Sequence, residues 1–214
     1  SQYSNMISIP TDCPQREKAG WTGDIQVFAP TGAYHQDMNS FLYRWMQSVE
    51  ADQFDNGIVP AIVPYSQCYR DTLQSTFKTD RSCGWSDACI IVPYAVYSLY
   101  GNKKILKDFY PVMEKWMDYI QKDASDNVSK SFSKKKHPTD AEKENQKYLW
   151  NSGFHFSIWL APSKEKFLTG VGSMIYNMTH EPIMATIYWV YDLTLMSEIS
   201  VILGRNEKAA EYDK

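Results

Sequence analysis

Two kinds of helix alternate along this chain, and that alternation restricts the fold more than any other feature. Over residues 102–123, Ile105, Phe109, Met113, Trp116, Met117 and Ile120 recur on one helical face. Over residues 31–52, Tyr34, Met38, Phe41, Leu42, Trp45, Met46 and Val49 do the same, which predicts a single one-faced helix. Residues 85–100 and 181–203 are instead apolar nearly all round, with Gly101 and Gly204 as stops. Ser86 or Asp87 would cap the first of these, and Pro93 would kink it or sit in its first turn. A short polar helix restarts at Arg205-Asn206-Glu207. Helices buried on every side need a second layer to cover them, so an all-α double layer is expected. Strand alternation is nearly absent.

The segment Thr11-Asp12-Cys13-Pro14-Gln15-Arg16-Glu17-Lys18-Ala19-Gly20-Trp21-Thr22-Gly23-Asp24 cannot be one continuous helix, because Pro14, Gly20 and Gly23 interrupt it. It reads as a loop, and a loop can turn Asp12, Glu17 and Asp24 toward one point. Trp21 beside them offers an apolar platform of the kind that packs on a sugar ring. Converging carboxylates next to an aromatic suit glycoside hydrolysis, in which one acid holds a proton and another stays ionised. Taken singly, each acid reads as a turn or cap residue, or as the partner of Arg16 or Lys18.

The whole string, preceded by Ile9-Pro10, resembles the catalytic signature of the bacterial α-L-rhamnosidases, glycoside hydrolase family 78. Further matches are Asp52-Gln53 with Gly57-Ile58-Val59-Pro60, and Gly84-Trp85-Ser86-Asp87-Ala88 with Ile91-Val92-Pro93-Tyr94. Trp150-Asn151-Ser152-Gly153-Phe154-His155-Phe156 with Trp159-Leu160-Ala161-Pro162, and the helix from Ala185 to Gly204, extend the likeness over essentially the whole chain. The resemblance implies an (α/α)6 barrel, or six-hairpin toroid, that removes terminal non-reducing α-L-rhamnose with inversion. It implies Glu17 as general acid, its proton held by burial and by an ionised Asp12 or Asp24. Asp12 and Asp24 become ligands for rhamnose hydroxyls, with Arg16 and Trp21 at the same subsite. Arg16 is then expected to face a sugar hydroxyl or another carboxylate, because pairing with Glu17 would oppose proton retention. Trp85, Asp87 and Trp159 become further pocket residues, while Trp45 and Trp116 are expected to pack in the core. The sequence departs from the family at Ser157-Ile158, where relatives carry Gly-Glu or Gly-Asp.

Length bears on completeness. Twelve helices of roughly 12 to 20 residues with their connections exceed this chain, whose 214 residues fit five to seven helices, about the N-terminal half of such a barrel. One domain, 1–214, is expected, with residues 125–147 as a polar, exposed excursion around Lys134-Lys135-Lys136. The general base, and the surface covering the inner helices, are then expected from outside the chain or from self-association. The alternatives are an inactive sugar-binding or structural fragment, and an (α/α)6 glycosidase for another deoxy sugar.

Composition removes other classes. A net charge of −3 and a pI near 5.8, with no basic patch, argue against nucleic acid as a partner. No run of about 18 apolar residues predicts a membrane span, and no basic-then-apolar leader is visible. Cys13, Cys68, Cys83 and Cys89 form no paired Cys-x-x-Cys spacing, and the four His residues lack ligand spacing, so neither a metal nor a cofactor is expected. The resemblance leaves the location open among periplasm, cell surface and cytoplasm.

Overall fold

The computed structural model describes residues 2–69, 71, 79–156 and 182–214. Among the described residues the helices that build the layers are α1 (Thr22–His35), α2 (Asn39–Asp52), α3 (Ala88–Tyr100), α4 (Lys103–Asp126), α5 (Pro182–Ile202) and α6 (Asn206–Tyr212). They follow one another in three pairs: α3 packs on α4 and α5 on α6, while α1 and α2 are joined by the short connection at Gln36–Met38. The first members, α1, α3 and α5, make one layer in which α3 packs against both others. The second members, α2, α4 and α6, lie outside, with α2 and α4 covering α3 and with α4 and α6 covering α5. Among the described residues there is no extended strand, only the single bridges Asp12–Ala19 and Trp21–Ile62.

The layers follow from the apolar patterns. Ala88 through Pro93 of α3 are all buried, as expected of a helix covered on several sides. Gly101 ends it in the left-handed region at φ 66°, where a side chain would be strained. Asn102 then caps α4 by accepting from Lys104 N at 3.1 Å. The predicted α4 face is buried in full, and Trp45, Trp116 and Trp150 are the largest fully buried side chains.

One expectation needs correction. Residues 31–52 are not one helix, because the chain breaks at Gln36, which is extended at φ −157° and ψ 159°. The Asp37 carboxylate accepts from Asn39 N at 2.9 Å and starts α2 afresh. The Tyr100 hydroxyl pins the corner, donating to the carbonyls of Ala33 and Gln36 and accepting from Met38 N at 3.1 Å. Tyr34, counted with the buried face in the sequence, is 80% exposed.

Residues 125–147 complete α4 and add two short helices, Lys130–Ser133 and Asp140–Gln146. The second carries a capping box between Thr139 and Glu142. Most side chains here face solvent. No described helix is long and apolar enough to cross a membrane.

Among the described residues the inner layer keeps exposed apolar side chains. Ile183, Ile187, Val190 and Val201 of α5 and Val27 of α1 are each more than half or about half exposed, which forms the kind of apolar surface a monomer rarely leaves open. The isolated 214-residue polypeptide is therefore expected to bind a hydrophobic dye strongly and to self-associate. Light scattering should give a mass above 24.8 kDa; a monodisperse monomer with no dye binding would contradict this.

Candidate functional site

The loop that precedes α1 is folded back on itself. Asp12 N donates to Ala19 O at 2.8 Å, and Cys13 O accepts from Arg16 N at 2.9 Å and Lys18 N at 3.2 Å. This tight return places Cys13 (φ 44°) and Lys18 (φ 54°) in the left-handed region, at about 1–3 kcal/mol each. At Gly20 the loop touches the 61–63 segment: Val63 N donates to Gly20 O at 2.9 Å, and a Cβ would lie 2.2 Å from Val63 O. The Thr22 amide and hydroxyl both donate to Ala61 O at 2.9 Å, and α1 begins there. Asp24 consequently sits in the first turn of α1 rather than in the loop, where a carboxylate favours the helix dipole.

Asp12, Cys13 and Glu17 converge, each offering a ligand atom within 4.8 Å of the others. The positive charge in this cluster is the Arg16 guanidinium, which pairs with Glu17 Oε1 at 2.7 Å and approaches Cys13 Sγ at 3.6 Å. This corrects the expectation that Arg16 would face away from Glu17. The electrostatic expectation for Glu17 is corrected with it. The Cys13 thiol and the Arg16 charge hold its carboxyl below the ordinary range, against the opposing pull of burial. Glu17 Oε2 is buried and has no hydrogen bond of ordinary geometry. The thiol is itself pushed up to about 11 by Asp12 and Glu17, so it stays protonated as an S–H donor.

Asp24 behaves as the resemblance would have Glu17 behave. Its carboxyl is pushed up to about 6, first by burial and then by the neighbouring Asp12 carboxylate. The residue as a whole is exposed, so the crowding applies to the carboxyl facing Asp12 rather than to the whole side chain. Asp12 and Asp24 line a cavity of about 400 Å³ together with Gln2, Met6, Thr11 and Phe28. Glu17, Trp21 and Trp85 do not line it.

The aromatic residues gather beside the acids. Phe156 is their hub, with its ring centroid 4.5 Å from Trp85, 6.0 Å from Trp21 and 5.4 Å from Phe154. Tyr69 meets Trp21 edge-on at 5.7 Å and donates through its hydroxyl to Glu17 O at 3.4 Å. Trp85 lies against the start of α1 so closely that a Cβ on Gly23 would stand 2.6 Å from its ring.

Asp87, expected in the pocket, is fully buried instead. Its carboxylate accepts from Gly84 N at 2.5 Å and Trp116 Nε1 at 3.0 Å, inside the helical layers. Trp159 lies outside the described residues. Tyr69 and Asp192 were not singled out in the sequence. The second carried a signal, being with Glu198 one of two charged residues in an otherwise uncharged helix.

The chain as a whole matches known proteins. The family model of the bacterial alpha-L-rhamnosidase 6 hairpin glycosidase domain matches residues 1–214. An alpha-L-rhamnosidase of Formosa agariphila is 33% identical over 98% of this chain and 19% of its own. One from Alteromonas sp. (strain LOR) is 30% identical, again over 98% of this chain and 19% of its own. The crystal structure of Streptomyces avermitilis alpha-L-rhamnosidase complexed with L-rhamnose superposes with a TM-score of 0.71 and 28% identity, covering 99% of this chain and 16% of that one. The chain thus spans about a fifth of the length of these relatives.

Two outcomes test the site's construction. Gly23→Ala should cost about 1–3 kcal/mol by overpacking and change tryptophan fluorescence, as read by denaturant titration; unchanged stability would mean the Trp85 ring does not lie there. For Asp24, a folded-state carboxyl raised to about 6 contributes stability that is complete below its ordinary value and lost as pH rises through 6. Asp24→Asn should therefore gain in melting temperature over the parent between pH 4 and 7, with no gain at lower pH.

Proposed function

This chain belongs to the family of bacterial α-L-rhamnosidase six-hairpin glycosidase domains, and from that premise we propose that it carries the acid side of an inverting α-L-rhamnosidase site. Glu17 protonates the glycosidic oxygen. Asp12 and Asp24 bind hydroxyls of a terminal rhamnose at the cavity they share, Arg16 closes the rim, and Trp21, Trp85 and Trp159 supply aromatic surface. The base that activates water stands about 6.5–9.5 Å from the acid in an inverting site. The observation that carries the reading is the convergence of Asp12 and Glu17, within 4.8 Å, beside the cavity that Asp12 shares with Asp24.

The ligand-free pairing of Arg16 with Glu17 is compatible with an acid role. The Arg16 side chain is 78% exposed, and ion pairs at that exposure hold weakly. A sugar oxygen arriving at Glu17 displaces the guanidinium and excludes water. Burial then dominates, and burial raises a carboxyl. Oε2, already buried without an ordinary hydrogen bond, is the oxygen placed to carry the proton.

A second reading makes Asp24 the donor, favoured by its carboxyl already lying at about 6 in the free site. Leaving-group dependence separates the two. In the full-length protein, Glu17→Gln should lower kcat about 10²- to 10⁴-fold on an aryl rhamnoside with a poor leaving group, and far less on an activated one. Near-normal turnover of the poor substrate would remove Glu17 from the role. The same leaving-group dependence in Asp24→Asn would transfer it to Asp24.

A further inference from the structure

Behind the aromatic wall, two carboxyls face each other in the core with little to neutralise them. Asp87, at the start of α3, and Asp192, in the middle of α5, are both fully buried. One indole serves both: Trp116 Nε1 of α4 lies 3.0 Å from Asp87 Oδ1 and 3.3 Å from Asp192 Oδ2. Gly84 N donates to Asp87 Oδ2. Asp192 Oδ1 is buried with no donor in hydrogen-bonding geometry, although the two carboxyls lie within hydrogen-bonding reach of each other. The titratable groups facing the pair are Cys89 on α3 and Tyr188 and Tyr191 on α5. Each is neutral or, if ionised, negative.

We propose that Asp87 and Asp192 hold one proton between them at neutral pH, and that this shared proton fixes the turn presenting Trp85. Two ionised carboxylates cannot share a dry site with a single forked N–H donor. A proton between them removes one charge and supplies the missing partner of Asp192 Oδ1. Asp87 then remains free to accept from Gly84 N. That amide opens the Gly84–Asp87 turn, where Gly84 is left-handed at φ +77° and Tyr188 crowds its α-carbon. Ser86 Oγ secures the same turn by donating to Val59 O at 2.7 Å. Trp85 projects from this turn onto Gly23 and Phe156, next to the helix that carries Asp24. The pair is a positioning element and touches no substrate; its consequence for catalysis rests on the function proposed above.

Burial raises both carboxyls, Asp192 the more strongly because Asp87 lies against it. Stability from the pair is therefore complete below the ordinary carboxylate range and is lost as pH rises through the raised value.

The test uses the full-length protein. At pH 8 the infrared carbonyl stretch of a protonated carboxylic acid should be present in the parent and missing in Asp192→Asn, whose amide N–H replaces the shared proton. The alkaline decline of the melting temperature should flatten in the same variant. Asp87→Ala should raise KM for an aryl rhamnoside roughly 3- to 10-fold, the worth of a displaced aromatic contact, with kcat nearly kept. Asp87→Asn, which retains an oxygen for Gly84 N, should restore it; if Asp87→Ala does not fold, the two Asn variants carry the test. Identical infrared spectra for parent and Asp192→Asn would overturn the shared proton. An unchanged KM in Asp87→Ala would overturn the positioning role. If Glu17→Gln and Asp24→Asn both left turnover intact, the catalytic reading would fall, while the infrared comparison would still decide the proton.

Discussion

The Asp123 carboxylate near the end of α4 holds together the parts that build the site. It pairs with Arg81 and accepts from Trp150 Nε1 at 2.8 Å, Ser152 Oγ at 3.1 Å and Asn127 Nδ2 at 3.0 Å. These donors come from segments far apart in sequence, so one buried group joins the 79–81 turn, α4 and residues 150–152. Removing one member of such a buried pair strands a charge and typically costs about 3–5 kcal/mol. Gly153 lets the chain pass the guanidinium: at φ +80°, a Cβ there would lie 2.7 Å from Arg81 Nη1. From this knot the chain reaches the aromatic hub directly. Ser82 Oγ accepts from Phe156 N at 2.6 Å, and His155 Nδ1 accepts from Cys83 N at 3.1 Å. Burial, then the charge of Arg81, pushes the His155 imidazole down to about 3. It is therefore a neutral bridge at physiological pH, with Nε2–H directed to Ser152 O.

This explains why a site made of loops can be specific in position. The acid loop is anchored through Gly20 and Thr22 to residues 61–63. That segment is anchored in turn by Asp80, which accepts from Ala61 N at 3.2 Å and from the Tyr65 hydroxyl at 2.6 Å. Asp80 and Arg81 share one helical turn. The loop bearing Glu17 and the segment bearing Phe156 therefore lead back to adjacent residues, and the carboxylates and aromatics are set relative to each other by buried polar bonds. The motif around Asp52 and Gly57 is part of the same framework: Gln53 Nε2 donates to Gly57 O and Val112 O at 2.9 Å.

The helices were legible because their apolar spacing is a local property. Ile105 to Ile120 read as one face and are buried as one face. The corner between α1 and α2 was not legible, because Tyr34, Met38 and Phe41 continue the helical spacing straight through it. What breaks the helix is a hydroxyl from Tyr100, more than sixty residues away, which no local pattern contains. The site divided in the same way. Asp12 and Glu17 were readable as neighbours from their loop, but the expected single pocket was not met: Asp24 stands on α1 and shares with Asp12 a cavity that Glu17, Trp21 and Trp85 do not line. Their protonation was not readable, because it depends on which side chain faces which. Adjacent letters, Arg16 and Glu17, formed the pair that the chemistry had been expected to avoid. Asp87 stood in a recognisable motif but points into the core, where Trp116 and Asp192 meet it.

In the free site Asp24, beside Asp12, keeps its proton to a higher pH than an ordinary carboxylate, while Cys13 and Arg16 favour the ionised form of Glu17. The two arrangements respond differently to an arriving sugar. Asp24 is raised by burial and by a like charge, and sugar hydroxyls donating to Asp12 and Asp24 favour the ionised forms. Glu17 is lowered by a solvent-exposed cation that a ligand can displace, and loses that support as water leaves. On the function proposed above, binding moves the two carboxyls in opposite directions, Asp24 toward the ionised form and Glu17 toward the protonated one. On the same proposal, the loop bearing Glu17 and the first turn of α1 bearing Asp24 meet at Asp12, so Glu17 gains its proton only once a sugar has displaced Arg16.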